Sequence, residues 1–434
     1  MDGDANDFKL LLASARHEAA SLREDPRLGV PPGNRGAALR EHVLDLLGAV
    51  EHRMSQEPPA SAAQAARSAF ARSMRQSIVM LRGAQAALPW LTATRSPTIN
   101  MGSLYLTEEC ARILVGQEID LVMVPNPEFM YTTTSEPFAE VINSTPGFVP
   151  TASRRPIVLN YPLTDGDRLL MHPIFAHEIG HASCDEYSLV DQVEKVFRDD
   201  ATFTTAFEQA ITTMASTWTA SPPPTIAGTI RGLLRQWIEE LLCDHLAIET
   251  IGPAFIWAFV TFALPLGYAE PAPSHPPNTL RLRLALDHLE RGKWQEYMKG
   301  FAPTVMAWLR GIGDDADSIP LAQPFSFLHE QLKRHAVTIG DTAASRTAHA
   351  VLERTDVESD ANEAAELIQH LILPVGLDTP LKPRSILLGG WQEAFRRHGD
   401  TPEGIVAALS DTRLQDLIGK AIELSVVAET WSTP

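Results

Sequence analysis

Five consecutive residues, His177-Glu178-Ile179-Gly180-His181, carry the clearest chemistry in the chain. On a helix, residues four apart share a face, so the two imidazoles can grip one metal ion. Glu178 lies about 100° round the helix from His177, within reach of a water on that ion. Such a trio makes water nucleophilic and gives its proton somewhere to go. A catalytic zinc takes three protein ligands and keeps one position for water, so a third ligand must come from elsewhere.

Three sources can be tested. A glycine and a further histidine spaced after His181 would complete one pattern, but Cys184 and Tyr187 hold those places. Asp185 sits one residue past Cys184 at the same helix end and is expected to point away. The third source is Trp237-Ile238-Glu239-Glu240-Leu241-Leu242-Cys243-Asp244. Glu240 and Asp244 stand at i and i+4 and share a face. Glu240 can bind the metal while Asp244 accepts the spare N–H of a ligating histidine. Glu239 lacks such a partner, because position 243 is cysteine. A solvated face is the plainer account of these acids, yet Leu241, Leu242, Leu246 and Ile248 make the helix apolar.

These residues need elements to hold them. Pro173 suits a first helical turn, so the histidine helix should begin near it. His172 just before it reads as a cap or surface residue. A long helix over Ile226–Thr250 should carry Glu240, stopped by Gly252-Pro253. Glu270–Pro277 reads as an extended loop, after which Asn278 caps a helix over Thr279–Arg291. Upstream, Ile119–Val124, Phe129–Thr134 and Pro156–Tyr161 are strand-like and suggest a small sheet. Ile157–Tyr161 is the candidate edge strand, able to pair with an extended peptide.

The rest of the chain reads as helical. Phe8–Leu22, Arg35–Met54 and Ala62–Leu88 carry apolar residues at helical spacing, with Ser61 and Gln64 as a capping box for the last. Gly311–Pro324 reads as a linker, followed by further helices to the end. The expected fold is therefore α+β and predominantly helical, divided as 1–95, 96–310 and 311–434.

Composition narrows the classes. The chain has 434 residues, 44% hydrophobic and 21% charged, which suffices for a buried core. Its net charge of −18 repels nucleic-acid phosphates and excludes them as natural partners. Cys110, Cys184 and Cys243 form no paired framework and fit a reducing, cytoplasmic setting. Cys184 and Cys243 flank the candidate ligands, but small buried hydrophobes is the simpler reading. The acidic start, MDGDANDFK, has no secretory apolar region. The apolar run Ile251–Ala269 is broken by Gly252, Pro253, Pro265 and Gly267, so a short buried helix near Ala254–Leu264 is expected rather than a membrane span.

HExxH, followed some sixty residues later by ExxxD on a helix, resembles the gluzincin pattern of thermolysin-like zinc peptidases. Ser274-His275-Pro276-Pro277-Asn278-Thr279-Leu280-Arg281 resembles the THPP-xxx-R motif of the CaaX prenyl endopeptidase/HtpX family. In that family a strand like Ile157-Val158-Leu159-Asn160 also precedes the HExxH helix. The resemblance spans roughly Pro156 to Arg291. It implies a zincin-like peptidase core, Zn2+ held by His177, His181 and Glu240, Glu178 as catalytic base, and Asp244 behind the ligands. It does not extend to the family's transmembrane helices or to the two helical ends.

The implied reaction is hydrolysis of a peptide bond in a protein or peptide substrate. Glu178 takes the proton of the activated water and passes it to the leaving amine. The oxyanion needs a further donor. His275, on a loop ahead of a helix, is the first candidate, with Arg281 and Tyr268 behind it. His275 can instead be a loop histidine fixed by prolines, or a fourth ligand that keeps the site latent. Arg281 can instead be a salt bridge that holds the loop. Two other functions share these residues: a catalytically silent metal-binding scaffold, and a zinc hydrolase acting on a non-peptide bond.

Overall fold

The structure is a computed structural model that describes residues 3–29, 36–59, 62–93, 99–116, 119–128, 130–135, 138–218, 222–263, 267, 271–349, 354–374, 377 and 379–432. It is predominantly helical with one three-stranded mixed sheet. Two compact units emerge. One takes Met1–Thr98 and Gln117–Pro162, the other Ile99–Gly116 and Leu163–Pro434. This partition cuts the chain differently from the expected 1–95, 96–310 and 311–434.

In the first unit, helix Ala37–Ser55 turns Leu39, Val43, Leu46, Leu47 and Val50 inward. That is the 3–4 spacing of an apolar stripe. The stripe meets Leu81, Ala84 and Leu88 of helix Gln64–Ala93 and the strand residues Val122 and Val158. Asp120 accepts from the backbone N–H groups of Gly36 and Ala38, at 2.9 and 2.8 Å, so a strand carboxylate supplies this helix's N-terminal acceptor. The helix expected to end near Leu88 runs on to Ala93 with Pro89 inside it. Ser61, the proposed half of a capping box, lies outside the described residues.

The strands are β1 (Ile119–Asn126), β2 (Thr132–Ser135) and β3 (Arg155–Pro162), in the order β1-β3-β2. β3 runs parallel to β1, with Val122 opposite Val158, and antiparallel to β2, with Thr133 opposite Leu159. The expectation of an edge strand at Ile157–Tyr161 is thereby corrected. Ile157–Asn160 pairs on both sides, so these backbone groups are not open to an added peptide strand.

The second unit is helical. The histidine helix Ile174–Glu186 starts directly after Pro173, as expected. Its C-terminal half is tied to helix Met101–Leu114, for Ser183 Oγ donates to Leu114 O and Tyr187 Oη to Val115 O, both at 2.8 Å. The glutamate helix spans Pro223–Ile251. The apolar run forms helix Ala254–Ala263, fully buried along most of its length. Its Trp257 packs against Trp391, centroids 5.3 Å apart, on the later helix Pro383–His398. Among the described residues no helix is long and apolar enough to cross a membrane.

Three further expectations are corrected here. His172 is buried rather than on the surface, with Nε2 donating to Asp165 O at 2.8 Å. Asn278 begins helix Asn278–Arg291 without capping it; its Nδ2 donates to Gly267 O at 2.7 Å. Gly311–Pro324 is no linker. Helix Pro303–Asp314 runs into it, and Asp317 binds Arg283 and Lys333 at 2.5 Å each.

Candidate metal centre

The histidine and glutamate helices approach closely at one point. A Cβ on Gly180 would stand 3.0 Å from Cys243 Cα and 3.1 Å from its Cβ. A side chain here would need Cys243 to give by a few tenths of an ångström, and the contact lies between the two histidines in sequence on one helix and near Glu240 on the other. The contact brings together one ligand atom each from His177, His181 and Glu240, all within 4.8 Å of one another.

A carboxylate lies on the far side of each ring. His177 Nδ1 lies 2.9 Å from Asp244 Oδ1, close enough for an ion pair, and His181 Nδ1 hydrogen-bonds Glu239 Oε1 at 2.8 Å. Nε2 of each ring faces Glu240, at 3.5 Å from Oε2 for His177 and 3.7 Å from Oε1 for His181. Phe255 stacks parallel to the His177 ring at 6.1 Å and closes that side.

Glu239 is not apparent from the sequence, because its i+4 neighbour is Cys243. It stands beside His181 as Asp244 stands beside His177. The signal for it is that two histidines offered to one metal call for two acceptors, and helical period supplies one.

Arg281 binds two acids of the glutamate helix, Asp244 and Glu240. Its Nε and Nη2 donate to Asp244 at 2.8 and 2.7 Å, and Nη1 lies 3.2 Å from Glu240 Oε2. Its guanidinium also sits over Phe259, 4.8 Å from the ring centre. Both ends of this residue are thus absorbed in holding the acids.

The electrostatics follow from these contacts. Burial opposes charge on Glu240, but Arg281 and the histidines hold its carboxyl down to about 2. Asp244 faces the same opposition and is likewise held well below the carboxylate range, chiefly by Arg281. Burial also opposes charge on His177, yet Asp244 and Glu240 raise it to about 10. A divalent ion at this place therefore competes with a proton.

The donor set fits such an ion. Two imidazole nitrogens and one carboxylate form the His2Glu set of catalytic zinc. Glu240 Oε2 is buried and meets no partner in good hydrogen-bond geometry, and the Arg281 guanidinium 3.2 Å away keeps it ionised and able to take a cation.

Glu178 is buried on the histidine helix, and its charge acts on His181. His275 is half exposed, with Nδ1 2.7 Å from Ser274 Oγ and Nε2 3.4 Å from Glu240 Oε1. Its loop is pinned by Trp237, whose Nε1 donates to Ala272 O at 3.0 Å. Asp185 is exposed and stands outside the cluster. Cys184 and Cys243 are buried with Sγ atoms 4.0 Å apart, outside it as well. Tyr268 lies outside the described residues.

No family model matches the chain, and neither a characterised protein nor a solved structure matches it.

Proposed function

We propose that the chain is a zinc-dependent endopeptidase with a zincin-like core. One observation carries this reading. His177, His181 and Glu240 converge, each imidazole has a carboxylate at its Nδ1, and an additional acid, Glu178, is buried on the same helix. A purely structural site has no use for that last acid.

His177, His181 and Glu240 would hold the ion, and Asp244 orients His177. Zinc, when bound, polarises a carbonyl and brings its water's pKa to about 7. Glu178 takes the proton of the attacking water and delivers it to the leaving nitrogen. His275 is the donor placed to meet the oxyanion, since its side chain is 51% exposed while reaching Glu240. Arg281 does not take that part in this reading. It is buried against Asp244 and Glu240 and keeps both acids ionised and in place.

The peptide bond as target rests on the likeness of HEIGH, Glu240 with Asp244, and His275 through Arg281 to the CaaX prenyl endopeptidase/HtpX core. The central position of β3 withdraws the strand argument for it. The same residues serve a hydrolase of another carbonyl bond, and the substrate assay separates the two.

That assay compares wild type with Glu178→Gln, both zinc-loaded, against a peptide mixture read by mass spectrometry. The expected result is cleavage by wild type, a fall of about 10²–10⁴ in the variant, and unchanged zinc content. Equal cleavage by both proteins contradicts the role of Glu178. Zinc-loaded wild type that cleaves no peptide contradicts the peptidase.

A further inference from the structure

The two histidines are held unequally. Asp244, beside His177, is buried and clamped by two hydrogen bonds from Arg281. Glu239, beside His181, is 31% exposed, and His181 is 26% exposed. Glu239 and Glu240 are adjacent, so their side chains leave the helix about 100° apart. One carboxylate thereby reaches the outer edge of the His181 ring while the other faces its inner nitrogen.

From this geometry we infer that Glu239 is the positioning residue for His181, and that the Glu239–His181 arm sets how fast the metal ion leaves. The inference rests on the metal-site reading above. An acceptor on Nδ1 fixes the proton there, so Nε2 keeps its lone pair for the ion, and the ring cannot swing outward. His177 is walled in by Phe255 and Asp244. The exposed side of the site is the His181 side, so an ion that leaves first loses this ligand. Without a metal role the contact would be a half-exposed ion pair, worth little to stability and nothing to zinc affinity.

The experiment uses the purified full chain. Zinc affinity and release rate are measured by competition with a chromogenic chelator for wild type, Glu239→Gln and Glu239→Ala. Imidazole nitrogen shifts identify the metal-bound nitrogen of His181 in zinc-loaded wild type. The expected result is zinc binding about 10–100-fold weaker in Glu239→Ala, mostly through faster release. Glu239→Gln, whose amide oxygen still accepts the N–H, should recover most of the loss. The shifts should place the metal on Nε2. Wild-type affinity in folded Glu239→Ala overturns the inference and leaves the metal site standing, as does metal on Nδ1 of His181, an outcome readable even if that variant does not fold. Wild type that binds no zinc overturns the metal site itself and this inference with it.

Discussion

Arg281 shows how much of the site is decided by single contacts. One guanidinium, buried between Glu240 and Asp244, permits two carboxylates to stay ionised out of water. His172 illustrates the opposite choice. Its Nε2 donates to Asp165 O, while its Nδ1 is buried and meets no hydrogen-bond partner, so a second proton has nowhere to be shared. Burial lowers this histidine to about 4. The unfolded chain takes up the proton from about pH 6.5 downward, the folded chain only near 4. Stability should therefore fall as pH drops through that window. Urea unfolding at pH 7 and pH 5 should show His172→Gln losing about 1–3 kcal/mol less than wild type over the interval. Equal losses would show that His172 is not the group being titrated. At this scale HEIGH, Glu240 and Asp244 were legible, because each pair is fixed by helical period alone. Glu239 was not, because its i+4 place holds Cys243, so helical period gives it no partner on its own helix and only the contact with His181 shows it.

Among elements, the contact between the histidine and glutamate helices governs the site. Gly180 is its closest point. Alanine there gains about 1 kcal/mol in helix propensity, but its Cβ meets the backbone of Cys243, which cannot rotate away. The steric term should win, costing about 1–3 kcal/mol and parting the ligands. Gly180→Ala should lower both the melting temperature and zinc affinity. A variant as stable as wild type, with unchanged affinity, would mean that the helices tolerate a wider spacing. The helices themselves were readable from proline and glycine punctuation: Pro173 opens one, and Gly252 ends the other with a positive φ of 72°. Sheet order was not. Strand residues Ile157–Tyr161 look alike at an edge or in the centre, and only the pairing of Val158 with Val122 and Thr134 decides.

On the scale of the whole molecule, the division into units separates what the sequence order joins. β3 ends at Pro162 and belongs with the N-terminal helices, while the histidine helix, starting at Ile174, belongs with the C-terminal ones. Periodicity cannot reveal this, because the deciding contacts are long-range. Gln415 Oε1 accepts from Leu170 N, a few residues ahead of the histidine helix, across 245 positions. The C-terminal helices thus help to build the unit that carries the candidate metal ligands. In the proposed reading this unit holds one zinc through His177, His181 and Glu240. Elemental analysis of wild type, His177→Ala and Glu240→Ala should find about one zinc per chain in wild type and none in either variant. No zinc in wild type after reconstitution, or zinc retained in Glu240→Ala, would contradict it.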